Sequence, residues 1–229
     1  MNTHYTYFLI LGLSVAGPLA LSFDKKVAFY KKWKFVFIAM ILPAVFYLVW
    51  DIYFTSIGIW QFNAKYVIGL KCFGLPIEEW LFFFIIPYCS VFIYECICCY
   101  FPRLTQNKIS DVLIQLLAVV LIVAAVFFRQ KMYTTVTFVL CGLFIMCIYL
   151  FKKIINRFLS SAFIVSFLIV LVPFLIVNGF LTALPVLMYN NAENLGIRIR
   201  TIPIEDVFYG LLLILMNVVI YEKLQASRK

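Results

Sequence analysis

The sequence is short of charge. Only 13% of its 229 residues are Asp, Glu, Lys or Arg, whereas 66% are hydrophobic, and ten carboxylates are present in all. Soluble domains are about 25% charged, so the composition excludes an ordinary water-soluble protein. A net charge of +9 would suit nucleic-acid binding, but the basic residues lie in short loops between apolar runs. That pattern is typical of membrane topology, and we therefore expect no nucleic-acid partner.

Recognisable ligand sets for metals and cofactors are also missing. The single histidine is His4, so the cysteine cluster at 96–99 lacks the further ligands that a zinc site needs. The sequence has no GxGxxG fingerprint, so flavin or nicotinamide binding is not indicated. We expect neither a cofactor nor a metal.

Seven apolar runs are long enough to cross a bilayer, which takes about 17 to 25 residues. They lie at about 5–22, 35–53, 77–99, 110–128, 132–150, 159–178 and 204–222. Thirteen of the 19 Lys and Arg residues lie on the side of the loop at 24–34 and of the C-terminus. The positive-inside rule therefore predicts a multi-pass protein of the cell membrane, with its N-terminus outside and its C-terminus in the cytoplasm.

A pattern of polar residues occurs twice, 127 residues apart and without a gap. The pairs include Asp51 with Asn178, Asn63 with Asn190, Pro76 with Pro203, Glu78 with Glu205, and Glu79 with Asp206. Apolar runs match by accident, but polar residues in fixed register indicate an internal duplication.

The duplication predicts the fold class. The first copy covers about 5–100 and the second about 132–222, with a linker helix at about 110–128. Because the linker crosses the membrane once, the two copies are parallel and related by an axis along the membrane normal. We predict an all-α integral membrane protein, one domain over 1–229, built as two parallel three-helix repeats joined by the linker helix.

Each copy carries a proline followed by two adjacent carboxylates at the start of an apolar run. Proline and acidic side chains suit the first turn of a helix, so a purely structural interpretation exists. Carboxylates are costly in a membrane, however, and tend to mark functional sites there. The candidate acid–base groups are Glu78, Glu79, Glu205 and Asp206, with Asp51 and Asn178 in the same region and Lys71 and Arg198 as counter-ions.

Two further expectations concern the surroundings of these groups. Neighbouring helical residues point about 100° apart, so one carboxylate of each pair is expected to orient the other. The segments 54–76 and 179–203 are long and apolar for loops, and we expect them to be re-entrant pieces that cover the motifs. Glu95 and Glu222 follow seventeen residues after the motifs, about 25 Å along each helix, and are expected to be structural.

Aromatic residues crowd the level of the motifs. A membrane-interface belt would explain them, and so would stabilisation of a carbocation by ring faces. They are Trp50, Trp60, Trp80, Phe82, Phe83, Phe208 and Tyr209.

Two stretches resemble the signature motifs of the membrane lycopene cyclases. They are Phe-Gly-Leu-Pro-Ile-Glu-Glu-Trp-Leu-Phe-Phe at 73–83 and Ile-Pro-Ile-Glu-Asp-Val-Phe-Tyr at 202–209. The segments 50–55 and 60–63 are similar to the family as well. The resemblance covers the whole chain and implies the fused, single-chain form of enzymes that also occur as heterodimers.

The resemblance implies a redox-neutral, cofactor-independent isomerisation. An acid protonates the terminal double bond of lycopene, the cation closes a β-ionone ring, and a base removes a proton, giving γ-carotene and then β-carotene. It points to Glu78, Glu79, Glu205 and Asp206 as catalytic without saying which is acid and which is base. It leaves open the ring type and whether the substrate is a C40 or a C50 carotenoid.

The remaining expectations concern substrate and partners. The residues expected to bind substrate are Trp50, Asp51, Trp60, Asn63, Trp80, Phe82, Phe83, Asn178, Asn190, Phe208 and Tyr209. The expected partners are lycopene, the lipid bilayer and other enzymes of carotenoid synthesis, while the oligomeric state stays open.

Two other functional classes compete with a cyclase. A small transporter or channel would also use intramembrane carboxylates at a repeat interface. A membrane prenyltransferase would need Asp-rich magnesium sites, for which the four aspartates are too scattered along the chain.

Overall fold

The computed structural model describes residues 3–104, 107–151 and 158–227. The basic residues at 152–157 and 228–229, which contribute to the predicted orientation, lie outside the described residues. Seven helices in the described part are long and apolar enough to cross a membrane. They are α1 (Thr6–Leu21), α2 (Trp33–Ser56), α3 (Ile77–Tyr100), α4 (Lys108–Phe127), α5 (Met132–Leu150), α6 (Ser160–Ala183) and α7 (Glu205–Ala226). The seven predicted spans are confirmed, with α2 and α6 extending a few residues further than expected.

The helices form two parallel repeats, α1–α3 and α5–α7, with α4 as the linker. The two copies interlock, because α2 packs against α7 and α3 packs against both α6 and α7. Both acidic motifs therefore lie at the end of the bundle where α3 and α7 begin, which we call the acidic end. Pro76 is the N-cap of α3, so the helix begins one residue later than the proline signal predicted.

Six short strands lie in the two segments that lead into α3 and α7. They are β1 (Trp60–Phe62), β2 (Lys71–Cys72), β3 (Leu75–Pro76), β4 (Leu187–Tyr189), β5 (Arg198–Ile199) and β6 (Ile202–Pro203). β2–β3 and β5–β6 are equivalent antiparallel hairpins. The turn of the first hairpin has positive φ at Phe73 and Gly74, as a two-residue type I′ connection requires. The sequence analysis predicted covering segments here but no strands.

The pairing of β1 with β4 joins the two copies. The strands are antiparallel, and Gln61 lies opposite Met188, its equivalent in the repeat. On either side, Trp60 pairs with Tyr189 and Phe62 with Leu187, so the register is symmetric about that central pair. This is the pairing that a local two-fold axis along the membrane normal produces.

A second symmetric contact joins α3 and α7 at the opposite end of the bundle. The Tyr94 hydroxyl donates to Glu222 Oε1 at 2.9 Å, and the Tyr221 hydroxyl donates to Glu95. Each copy thus supplies a tyrosine hydroxyl that donates to a carboxylate of the other copy. Lys32 also forms an ion pair with Glu95. These contacts agree with the structural role expected for Glu95 and Glu222.

The linker helix α4 packs closely on α5 at a glycine. A Cβ added to Gly142 would stand 2.7 Å from Ile122 Cγ1 and 3.0 Å from the Ala118 carbonyl oxygen. Small residues allow this approach between membrane helices.

We expect Gly142→Ala to loosen the packing of α4 and α5. Overpacking of this kind costs about 1–3 kcal/mol, so the unfolding transition of the protein in detergent should shift to lower temperature. Gly12→Ala is the matched control, because a Cβ at Gly12 meets no atom within 4 Å. Equal stability of the two variants would show that the contact at Gly142 does not limit helix packing.

Candidate active site

A small cavity at the acidic end collects polar groups from both copies, and we call it the acidic cavity. Its lining contains three carboxyls, four tyrosines, one amide and six apolar side chains. These are Asp51, Glu79, Asp206; Tyr7, Tyr133, Tyr189, Tyr209; Asn178; and Trp60, Phe62, Phe82, Phe174, Leu181, Leu187. Its volume of about 30 Å³ is that of about one water molecule.

The adjacent carboxylates of each motif point to different places. Glu79 and Asp206 line the acidic cavity, whereas Glu78 and Glu205 are fully buried outside its lining. This division follows from the helix, since successive side chains differ in direction by about 100°.

Asp51 and Glu79 form one side of the cavity. The Tyr7 hydroxyl donates to Glu79 Oε2 at 2.6 Å, and the Tyr209 hydroxyl donates to Asp51 Oδ1 at 3.0 Å. Both carboxyls line the same cavity, and each accepts from a tyrosine hydroxyl. An ionised carboxylate only accepts hydrogen bonds, so a hydroxyl is a suitable partner for it.

Asp206, the third carboxyl of the lining, receives two hydroxyl donors. The Tyr133 hydroxyl donates to Oδ1 at 2.6 Å and the Tyr189 hydroxyl to Oδ2 at 2.7 Å. The two tyrosine rings are stacked, with centroids 5.8 Å apart. Burial, followed by the nearby Asp206 charge, raises the pKa of Tyr189 well above its ordinary value, so its hydroxyl keeps the proton that it donates.

Glu78 and Glu205 hold the covering segments instead. The Ile68 backbone N–H donates to Glu78 Oε1 at 2.7 Å, and the Leu195 N–H donates to Glu205 Oε1 at 2.8 Å. Ile68 and Leu195 are equivalent in the repeat, so both copies use the same anchor. Thr134 adds a hydroxyl donor to Glu205. The two glutamates thereby fix the segments 54–76 and 179–203 over the cavity.

Aromatic rings form much of the remaining wall of the acidic cavity. Trp60 meets Tyr133 edge to face at 5.2 Å and Tyr209 at 6.1 Å. Trp50 packs on Tyr209 at 5.0 Å from behind, and Phe83 lies in the same buried layer against Tyr47. Trp50 and Phe83, expected to bind substrate, therefore support the wall and do not line the cavity.

Four other residues expected to bind substrate lie outside the cavity lining. The Trp80 indole N–H donates to the Cys72 carbonyl oxygen, and Phe208 packs edge to face on Phe138. Asn63 and Asn190 each accept a backbone N–H two residues ahead, from Lys65 and from Ala192. These equivalent asparagines close turns in the covering segments. Of the residues expected to bind substrate, Asp51, Trp60, Phe82, Asn178 and Tyr209 do line the cavity.

The expected counter-ions do not contact the carboxylates. Arg198 donates to the Thr201 carbonyl oxygen and to Asn191, and Lys71 is exposed. Among the residues described, the one ion pair within 4 Å joins Lys32 and Glu95 at the opposite end. Hydroxyl donors, not cations, surround the carboxyls of the acidic cavity.

Tyr7, Tyr133 and Tyr189 were not among the residues expected at the site. Tyr7 and Tyr133 lie in the first turns of α1 and α5, at the same level as the motifs, and that position was an available signal. Tyr189 corresponds to Phe62 in the other copy, so the repeat gave no sign of a hydroxyl there. Within the described ranges, no group of three or more His, Cys, Asp or Glu side chains could hold a metal ion.

Comparison with known families agrees with this architecture. A family model described as lycopene cyclase matches the chain twice, at residues 4–97 and 130–224. Each match contains one acidic motif, and the gap between them contains α4. No curated protein and no solved structure matches the chain. Since the two matches together span most of the 229 residues, the chain belongs to the lycopene cyclase family.

Proposed function

We propose that this protein converts the ψ ends of lycopene into β-ionone rings, giving γ-carotene and then β-carotene. The observation that carries the proposal is the convergence of Asp51, Glu79 and Asp206 on one cavity walled by aromatic rings. Cyclisation needs a proton donor, a surface that tolerates a carbocation, and a proton acceptor, and the acidic cavity offers all three.

The Asp51–Glu79 pair is the proposed acid. Both carboxyls line the cavity, where two like charges in one buried site are unfavourable, so one of the two is the proposed carrier of a proton. Tyr7 and Tyr209 fix the two carboxyls. Transfer of that proton to the terminal double bond of the substrate forms a C–H bond and leaves a tertiary carbocation. A positioned acid of this kind accelerates a reaction by about 10² to 10⁴.

Ring closure follows without any group of the protein forming a bond. The next double bond of the substrate attacks the cation, a C–C bond forms, and the positive charge moves into the new ring. The rings of Trp60, Tyr133 and Tyr209 line the cavity where this charge would form. Ring faces stabilise a desolvated cation by about 2 kcal/mol each, and their rigid packing keeps water from capturing it.

Asp206 is the proposed base. Its carboxylate is held by Tyr133 and Tyr189, neither of which donates to the acid pair. It removes a proton from the ring carbon next to the cation, the C–H electrons form the ring double bond, and the charge is neutralised. One proton is gained and one is lost, with no transfer of electrons, so the reaction needs no redox cofactor.

The composite cavity implies that the two substrate ends react in sequence. Glu79 belongs to the first copy and Asp206 to the second, yet both line one cavity. A single site requires release and reversal of the substrate between rings, so γ-carotene is an intermediate. We place the protein in the cell membrane with the N-terminus outside, on the distribution of Lys and Arg between loops.

We expect Glu79→Gln and Asp206→Asn each to lower the initial rate of ring formation by about 10² to 10⁴. The amides keep the hydrogen-bond partners but cannot exchange the proton. Conversion of lycopene by purified protein, followed by chromatography, measures the effect. Glu222→Gln, at the far end of α7, is the control and should retain most activity. If wild-type protein forms no ring, the proposed function is wrong; a near-normal rate in either variant removes that residue from the chemistry.

Glu78 gives a different expected pattern, because it positions a backbone segment. Glu78→Gln keeps an oxygen that accepts from the Ile68 N–H, so it should retain activity within a few-fold of wild type. Glu78→Leu leaves the N–H unpaired, which costs about 1–3 kcal/mol, and should lose most activity together with stability. Both variants are compared by initial rate and by thermal unfolding. A Glu78→Gln variant as inactive as Glu79→Gln would make Glu78 a catalytic group.

A further inference from the structure

A second and larger cavity opens between α1, α3 and α6, and we call it the side groove. Its volume is about 680 Å³, and its lining is almost entirely apolar. On α1 the lining runs from Ile10 to Leu21, which is about 16 Å at 1.5 Å per residue. Phe174 lines both the side groove and the acidic cavity, so its ring separates the two spaces.

We propose that the side groove binds the polyene chain of the substrate while one end lies in the acidic cavity, and that Phe174 is the gate between them. The inference rests on the proposed cyclisation and adds the place where the rest of the substrate lies. A conjugated polyene is a rigid apolar rod, and a straight apolar groove along three helices matches that shape.

The acidic cavity cannot admit a substrate end as it stands. Its volume of about 30 Å³ suits one water molecule, so a side chain must move to make room. Phe174 is placed to do so, because it follows Pro173 inside α6. Proline removes a backbone hydrogen bond from a helix and favours local bending.

The resting position of the gate depends on Gly210. A Cβ added there would stand 2.7 Å from Cζ and 2.8 Å from Cε2 of Phe174, so the ring lies directly on the α7 backbone. The position equivalent to Phe174 in the first copy is Tyr47, whose hydroxyl donates to the Tyr209 carbonyl oxygen at 2.8 Å. Tyr47 is tied to α7, whereas Phe174 has no polar group to hold it.

Two positions that line the side groove have larger side chains at the equivalent positions of the other copy. The positions equivalent to Gly17 and Val177, both of which line the side groove, are occupied by Phe144 and Trp50 in the other copy. Phe144 packs against the core and Trp50 is buried. Larger side chains thus fill the equivalent space. Both ends of one substrate would therefore enter by the same path, which agrees with successive ring closures.

A lipid acyl chain is the other occupant that an apolar groove in a membrane would take. The shared border at Phe174 favours the polyene, because an acyl chain has no reacting end to place in the acidic cavity. The two occupants differ in their effect on catalysis. Filling the groove slows ring formation if the polyene binds in it, and changes nothing if only lipid does.

Gly17 and Gly12 offer a matched test on one helix. An added Cβ meets no atom within 4 Å at either position, but only Gly17 lines the side groove. We expect kcat/KM for lycopene to fall progressively through Gly17→Ala, Gly17→Leu and Gly17→Phe. The kcat/KM of the Phe variant should fall by about 10- to 100-fold, since displacement of a reacting end by about 1 Å costs that order.

The control is the same series at Gly12, where kcat/KM should stay within about two-fold of wild type. Rates are normalised to protein that elutes as a monodisperse peak.

The outcomes separate the inference from the proposed function. Wild-type protein that forms no ring would refute the cyclisation itself, and the groove inference with it. Active wild type with a flat series at Gly17 would leave the cyclisation standing and overturn the groove, with lipid as its occupant. A parallel decline at Gly17 and Gly12 would also overturn it, because the effect would then belong to α1 as a whole.

Discussion

A carboxyl group buried in a membrane protein must find hydrogen-bond donors, and the acidic end is built around that constraint. Water is scarce there, and an unsatisfied polar group costs several kcal/mol. Tyrosine hydroxyls from α1, α5, β4 and α7 supply the donors. Because each hydroxyl lies on a different element, the bonds fix how these elements sit around the cavity. A hydroxyl also leaves the negative charge uncompensated by a cation, which keeps the group able to take up or release a proton.

In the proposed mechanism, the duplication also brings an acid from one copy and a base from the other to one substrate end. Each copy brings two neighbouring carboxylates, and the helix turns one to the cavity and the other to a covering segment. Glu78 and Glu205 accept backbone N–H groups at equivalent positions, so the segments stay closed over the cavity. The β1–β4 pair then joins the segments across the axis. The two copies are built alike around the axis. In the proposed mechanism, the differences between Asp51 and Asn178 and between Glu79 and Asp206 assign different roles to the two copies.

The spans could be predicted because apolar runs of sufficient length are visible in the sequence. The repeat and its acidic motifs could be predicted because polar residues recur in a fixed register. Three of the tyrosine donors do not follow the repeat: Tyr133 corresponds to Thr6, Tyr7 to Thr134 and Tyr189 to Phe62. Only a position in the first turn of α1 or α5 pointed to Tyr7 and Tyr133. Asn63 and Asn190 do follow the repeat, and for that reason they were expected to bind substrate. Asn63 and Asn190 match in the repeat because both close a turn with a backbone N–H two residues ahead, and a shared structural role gives the same signal as a shared catalytic one. The strands were missed because three or fewer residues per strand leave no periodic pattern.

The central claim is that separate groups donate and accept the proton. Incubation of lycopene with the Glu79→Gln and Asp206→Asn variants in deuterated water tests it most directly, with mass spectrometry of the recovered lycopene and of any product. If the groups are separate, Asp206→Asn keeps its acid pair and should still place deuterium on the substrate, whereas Glu79→Gln should place none. The claim is contradicted if Asp206→Asn incorporates no deuterium, or if it forms rings at the wild-type rate.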